Sequence, residues 1–566
     1  MDVVVVGGSA AGLKAACRIA RLQPDARIRV LVKDEYFGYS LCGLPYYLSG
    51  DVASLEMLAM TPNGTLKDQA YFRDVKGIEV LTRHEVFLLD RAARYIRCHI
   101  LDSDRETTFP YDKLVIATGA KPLLPAIPGL ETPGVTFFTR PAEALKLRED
   151  LERGRVGKVA ILGGGFIGLE LCEAFHALWG VEVDLVEFQP NVLPGLLDVE
   201  FARLVEAELA RHDIGMNLGC GCSEIIGEDD KLCLFSNAGD MIKADRIVVA
   251  TGVRPNVDLA RRGGLVIGVT GGVKVDGHLR TSDHDVYAAG DCVELPSAVD
   301  GVVGFWSLGS LASRMGRVVG DNVCNGDSRF GPVVGATTLK VFGLNVGAVG
   351  LTAGECRDRG YEIECSWGTF YDRLHYYPGS EPIHLKLVAD QGSGRVLGLQ
   401  ALSRGNILHI IDVAAQAIRA GAMVDELQDL EHAYAPPYAQ PINPIHSLSH
   451  IIENSRSAGI KLVSPIGLDP LPRETLILDV RNPDEIAKFP LEIGERLVIA
   501  IPLEQLRSRL PELPHDLPVL AICQMGGRAW DAALMLRRAG WQDVSILAGG
   551  ILFQPHREDV TRVQQE

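Results

Sequence analysis

Val159-Ala160-Ile161-Leu162-Gly163-Gly164-Gly165-Phe166-Ile167-Gly168-Leu169-Glu170 is the stretch on which the fold turns. An apolar strand runs into Gly-x-Gly-x-x-Gly and a helix follows. The next strand, Val183-Asp184-Leu185-Val186, ends in Glu187, about twenty residues further on, which completes a dinucleotide-binding fingerprint. Gly163, Gly165 and Gly168 are therefore assigned to a dinucleotide. Glu187 would accept from both ribose hydroxyls and repel a 2′-phosphate. No arginine follows it in Phe188-Gln189-Pro190, so NADH is favoured over NADPH.

Working outward, a weaker version opens the chain. Val3–Val6 lead into Gly7-Gly8-Ser9-Ala10-Ala11-Gly12 and then a helix to about Leu22. Such a turn aims helix N-terminal N–H groups at a pyrophosphate. Ser9 stands where the second glycine usually is, and a glycine turn without a ligand is the competing reading. The next strand, Ile28-Arg29-Val30-Leu31-Val32, lacks a terminal acid, and Lys33 with its backbone is the expected substitute for ribose binding. Two further strands end in Ala-Thr-Gly, at Thr118-Gly119 and Thr251-Gly252, and another ends in Gly290-Asp291. An aspartate there can accept from a ribityl hydroxyl.

The bulk numbers agree with a multidomain globular protein. The chain has 566 residues, 47% apolar and 23% charged, which suggests three to four domains. Lysine plus arginine number 56 against 73 acids, for a net charge of −17; this disfavours nonspecific nucleic-acid binding. No basic leader precedes an apolar core at the N-terminus. No uncharged stretch approaches the roughly eighteen residues of a membrane span. Twelve irregularly spaced cysteines do not form a disulfide framework, so a cytoplasmic location is expected. Cys220-Gly221-Cys222 is too close for an ordinary disulfide and lacks partners for zinc, so no metal is expected. Cys292 is expected to pack.

Cys42 is the chemical centre. It sits in Ser40-Leu41-Cys42-Gly43-Leu44-Pro45-Tyr46-Tyr47, and the next cysteine is Cys98. With no neighbour to close a local disulfide, a redox thiol there must pair with a visiting thiol, sulfane sulfur or oxygen atom. Over roughly residues 1–455 this array resembles the flavoprotein disulfide reductases with two dinucleotide-binding domains. The Cys42 segment is similar to their single-cysteine branch of coenzyme A-disulfide reductases, NADH oxidases and NADH peroxidases.

The resemblance implies an α/β fold with two Rossmann-like domains, an α+β dimerisation domain and a homodimer. It implies FAD at Gly7, Ser9, Gly12, Lys33, Val86, Thr118, Gly119 and Asp291, with NADH at the second fingerprint and Gly252 alongside. Oxidase and peroxidase members carry a histidine in the first glycine loop, where this chain has Ala10. A leaving hydroxide then lacks an evident proton donor. The coenzyme A branch uses two tyrosines from the partner subunit, matched by Tyr376 in Tyr376-Tyr377-Pro378-Gly379 and Tyr434 in Ala433-Tyr434-Ala435-Pro436-Pro437-Tyr438. Aromatic-proline clusters of this kind also simply pack interfaces. Arg18 and Arg21 lie one turn apart on the first helix, the face that meets coenzyme A phosphates in the family; solvated surface is the plainer alternative. Gly38 and Leu41 replace a serine and an asparagine, and His409-Ile410-Ile411 replaces a more basic stretch.

A different pattern begins near residue 460. After Pro465-Ile466-Gly467-Leu468-Asp469-Pro470-Leu471-Pro472 come a strand through Asp479-Val480-Arg481 and a second that delivers Cys523-Gln524-Met525-Gly526-Gly527-Arg528. Backbone N–H groups around such a cysteine, with Arg528, would lower its pKa and stabilise a persulfide anion. This resembles a single rhodanese domain, Gly549-Gly550 included. Lys488-Phe489-Pro490-Leu491-Glu492 stands in place of the usual Gly-His-Ile-Pro-Gly-Ala. A related phosphatase loop needs five residues between cysteine and arginine; four intervene here, which fits sulfur better than phosphate.

The expected boundaries are 1–150 and 246–325 for FAD, 151–245 for NADH, 326–455 for dimerisation, 456–472 for a linker and 473–566 for rhodanese. The expected activity is NADH-dependent reduction of coenzyme A persulfide, polysulfide or coenzyme A disulfide through a Cys42 mixed disulfide. Coenzyme A is substrate or tightly bound cofactor, and Cys523 is a sulfurtransferase site. The rivals are an NADH oxidase cycling Cys42 through sulfenic acid and a non-catalytic flavin redox sensor or sulfur carrier.

Overall fold

The computed structural model describes residues 1–468, 471–490 and 496–554. Asp469 and Pro470 of the expected linker, Leu491 and Glu492 of the atypical rhodanese stretch, and the end of the 473–566 span lie outside the described residues. The chain divides into two units: Met1–Phe188 with Gly219–Val333, and Gln189–Leu218 with Val334–Glu566.

The first unit is built on two parallel sheets. One has the order Val286–Ala288, Lys113–Ile116, Asp2–Val6, Arg27–Leu31, Ile78–Leu81. In the other, Glu182–Glu187, Lys158–Leu162, Arg246–Val249 and Val135–Phe137 lie side by side. Parallel strands are covered on both faces, so they read as unbroken apolar runs. Val3, Val4, Val5, Val159, Ala160 and Ile161 are accordingly all fully buried, each valine contributing about 1.5–3 kcal/mol of burial. Helix Ala10–Leu22 packs along helix Gly309–Val323. Glycines make that approach possible: a Cβ on Gly316 would stand 2.4 Å from the Ala11 carbonyl oxygen, and one on Gly320 2.5 Å from Arg18 Cβ.

The second unit carries a five-stranded antiparallel sheet in the order Thr337–Val341, Leu344–Gly350, Val396–Ser403, Pro382–Asp390, Ile363–Tyr371. Helices Leu408–Ala420 and Pro444–Ala458 cover it. A five-stranded parallel sheet follows, Lys461–Val463, Val544–Leu547, Val519–Ile522, Leu476–Asp479, Val498–Ala500. Helix Val199–Arg211 belongs to this unit. Its Phe201 ring meets Phe553 edge-on at 5.2 Å.

Candidate active sites at two thiols

Cys42 lies in a single 3-10 turn, Leu41–Gly43, that feeds helix Leu44–Ser49. Pro45 in the first helical turn needs no backbone N–H partner there. The next feature is tightly packed, since a Cβ on Gly43 would stand 2.3 Å from Leu58. The cysteine is free and exposed. Its Sγ sits at the start of helix Gly309–Val323, 3.7 Å from where a Cβ on Gly309 would lie. Desolvation, and then the carboxylates of Glu170 and Asp291, push the Cys42 thiol above its ordinary pKa. Both carboxyls are themselves perturbed. Burial, with Glu173 adding repulsion, pushes Glu170 up to about 7; burial raises Asp291. Asp291 accepts a 2.7 Å hydrogen bond from the Ser307 hydroxyl. Glu170, eight residues into the decisive stretch's glycine-helix segment, and Ser307 were not singled out from the sequence.

The glycine loops have the geometry their spacing implies. Gly7 and Gly163 adopt φ of +121° and +112°, and a Cβ on either would strike the carbonyl of Ala117 or Ala250 at 2.0 or 2.4 Å. Cβ atoms on Gly12 and Gly168 would stand 2.0 and 1.9 Å from the carbonyl oxygens of Gly7 and Gly163. No atom stands within 4 Å of a Cβ built on Gly165. Helices Ala10–Leu22 and Phe166–Trp179 start at Ser9 and Gly165 without side-chain caps. First-turn N–H groups therefore face each loop, the donor set that a pyrophosphate needs. Glu187 is buried, and its carboxylate accepts from Gly164 N–H at 2.6 Å. The two Ala-Thr-Gly ends belong to strands that are tied together: Thr118 Oγ1 donates to Asn256 at 2.6 Å, and Leu123 N–H to Gly252 at 2.9 Å. These residues fit a flavin dinucleotide at the first loop and a nicotinamide dinucleotide at the second.

Cys523 is held in the opposite way. Strand Val519–Ile522 ends at the cysteine, which is 1% exposed. Gly526 precedes helix Gly527–Arg538 with φ +101°, a conformation that glycine alone adopts cheaply. That turn directs Gly526 N–H onto Cys523 Sγ at 3.0 Å, a donor suited to a sulfur anion. Arg528 is paired: its guanidinium forks onto Glu485 at 2.7 and 2.5 Å, while it also stands within electrostatic reach of Cys523. Arg481 is fully buried and forks onto Asp479, which explains the Asp-x-Arg pattern as structural.

Residues 1–310 match the family described as "Pyridine nucleotide-disulphide oxidoreductase", and residues 336–443 match its dimerisation domain. The chain belongs to this family. Residues 468–552 match a rhodanese-like domain, which the chain carries in addition. Among similar proteins is the "NAD(P)H sulfur oxidoreductase (CoA-dependent)" of Pyrococcus abyssi, 34% identical over 451 residues, covering 80% of this chain and 98% of that protein. The "NADH oxidase" of Methanocaldococcus jannaschii is 32% identical over 447 residues, covering 79% and 97%. The solved structure of an NAD-dependent persulfide reductase from A. fulgidus superposes with a TM-score of 0.93 at 38% identity. It covers 98% of this chain and all of that one.

The remaining candidates in this flavoprotein are less organised. Tyr376 and Tyr434 are 66% and 46% exposed, and neither belongs to the unit that holds Cys42. Arg18 pairs with Asp321 at 2.5 Å, whereas Arg21 is exposed. Lys33, the substitute suggested for a ribose acid, pairs with Glu85 at 2.7 Å. Val86 is half-buried on strand His84–Asp90, where the register shifts. Cys292 is fully buried; Cys220 and Cys222 are half-buried. No helix among the described residues is long and apolar enough to cross a membrane.

Proposed function

We propose that this protein uses NADH to reduce coenzyme A persulfide, polysulfide and coenzyme A disulfide at Cys42, and carries sulfane sulfur on Cys523. The observation that carries the reading is a lone, exposed thiol within electrostatic reach of two perturbed carboxyls, in the unit that holds a loop-and-helix array fit for a flavin. Bound flavin supplies the two-electron relay between NADH and sulfur. Cys42 thiolate attacks the carbon-bound sulfur of coenzyme A persulfide; hydrosulfide leaves, and a Cys42–coenzyme A mixed disulfide forms. Two electrons from NADH then cleave that bond, releasing coenzyme A and regenerating Cys42 thiolate. One proton is taken up overall as persulfide and NADH become coenzyme A, hydrogen sulfide and NAD⁺. With coenzyme A disulfide, the first leaving group is coenzyme A thiolate.

The names of the Pyrococcus and A. fulgidus relatives support this substrate class. The matched dimerisation domain supports a homodimer. Exposed Tyr376 and Tyr434 would then complete the partner's Cys42 site, and Arg18 or Arg21 would meet coenzyme A phosphates. The finer cofactor assignments stand on the same footing: Gly7, Ser9, Gly12, Lys33, Val86, Thr118, Gly119 and Asp291 for FAD, and Gly163, Gly165, Gly168, Glu187 and Gly252 for NADH. The Methanocaldococcus relative favours a second reading, oxygen reduction through a Cys42 sulfenic acid. Ala10 in place of a proton donor weighs against it. Steady-state NADH oxidation with coenzyme A persulfide, polysulfide, coenzyme A disulfide and oxygen separates the two. Oxygen turnover that exceeds all thiol-linked turnover would overturn the proposal.

A further inference from the structure

The sulfur loop at Cys523 does not stand by itself. Its backbone is bonded to the segment after the last parallel strand: Ile551 N–H donates to the Cys523 carbonyl at 3.0 Å and Leu552 N–H to Gln524 at 3.1 Å. Below the loop lies the Gly549–Gly550 peptide. Both glycines have positive φ, +71° and +70°. A Cβ on Gly550 would stand 2.5 Å from the Gln524 carbonyl oxygen, so backbone presses directly on backbone.

A peptide between two glycines is soft, because each adopts either hand of φ at little cost. Here both of its polar ends are engaged. Gly550 N–H donates to Leu547 at 3.2 Å. The Gly549 carbonyl accepts from Thr369 Oγ1 at 2.7 Å. Thr369 is buried on the edge strand of the antiparallel sheet, directly opposite His384 in the register. Its Oγ1 lies 3.1 Å from His384 Nδ1. A threonine hydroxyl has one hydrogen; with that hydrogen on Gly549, His384 must donate from Nδ1. The order is His384 Nδ1–H to Thr369 Oγ1–H to Gly549 C=O. Fully buried Phe553 seals it, with its ring 4.9 Å from His384.

We propose that Thr369, oriented by His384, is a positioning residue for Cys523: the dimerisation sheet fixes the Gly549–Gly550 peptide and so holds the sulfur loop in its competent shape. The function assigned to this loop rests on the sulfurtransferase reading above, but the positioning itself does not. Without the hydroxyl, the peptide is free to turn over, and the loop that brings Gly526 N–H to Cys523 Sγ loses its support.

The test uses the full-chain holoenzyme with Thr369→Val, Thr369→Ala and Thr369→Ser. Three readouts are taken: polysulfide-to-coenzyme A sulfur transfer, the pH profile of Cys523 alkylation by iodoacetamide followed by peptide mass spectrometry, and NADH-dependent coenzyme A disulfide reduction. Thr369→Val and Thr369→Ala should each lower transfer about five- to tenfold, the worth of one buried hydrogen bond. Cys523 should also alkylate more slowly than in the wild type at a given pH. Thr369→Ser should restore both, and coenzyme A disulfide reduction should stay at the wild-type rate. A wild-type alkylation profile in the variants lacking the hydroxyl, or no rescue by serine, overturns the proposal. Wild-type enzyme that transfers no sulfur would overturn the sulfurtransferase reading instead, while the alkylation profiles would still decide the role of Thr369.

Discussion

Cys42 and Cys523 are both single cysteines on loops that enter helices, yet the protein treats them oppositely. Cys42 is exposed, and desolvation, with the carboxylates of Glu170 and Asp291 adding to it, holds its thiol pKa up. Cys523 is buried, and a backbone N–H points at its sulfur. The first arrangement leaves the sulfur dependent on what binds next to it. The second builds a hydrogen-bond donor to the sulfur into the fold. Exchange with a visiting thiol needs access and a good leaving group; storing a persulfide needs a donor and shelter from water. The contrast matches the two tasks proposed.

The largest expected effects remove one sulfur at a time. Cys42→Ser should cut NADH-dependent reduction of coenzyme A disulfide by about 10⁴-fold or more, as loss of a nucleophile does, in an assay at 340 nm. Cys523→Ser should abolish sulfur transfer and leave that reduction unchanged; a parallel loss of both activities would erase the division of labour. Gly526→Ala is next. At φ +101° a side chain costs about 1–2 kcal/mol, so Cys523 alkylation should slow about tenfold at fixed pH as the N–H leaves the sulfur.

Glu170→Gln should have the smallest effect. Glu170 ionises near pH 7 in the wild type, and its charge opposes the Cys42 thiolate only above that pH. The variant should alkylate Cys42 about two- to fivefold faster at pH 8. It should converge with wild type at pH 5.5, where both side chains are neutral. Equal rates at pH 8 would show that the carboxylate does not act on the sulfur.

The first glycine loop and the fingerprint at 159–187 were legible because close backbone approach excludes every residue but glycine, and a 2.0 Å clash at Gly7 or Gly12 leaves a mark in the sequence. Cys42 was legible from its isolation. What escaped are pairings made across the fold. The pairing of Arg528 with Glu485, 43 residues away, is one. Arg18 meets Asp321 from a helix 303 residues on. Glu170 is an ordinary helix residue by pattern, and only the packing of two helices makes it a neighbour of Cys42. Thr369 and Gly549 are 180 residues apart, and no local motif announces their bond.

Trapping the Cys42 intermediate tests the central claim most directly. Enzyme mixed with coenzyme A disulfide in the absence of NADH, digested without reductant and read by mass spectrometry, should show coenzyme A joined to the Cys42 peptide, with NADH releasing it in one turnover. Coenzyme A found on another cysteine, or a Cys42 peptide that stays unmodified while the enzyme turns over, would contradict the account.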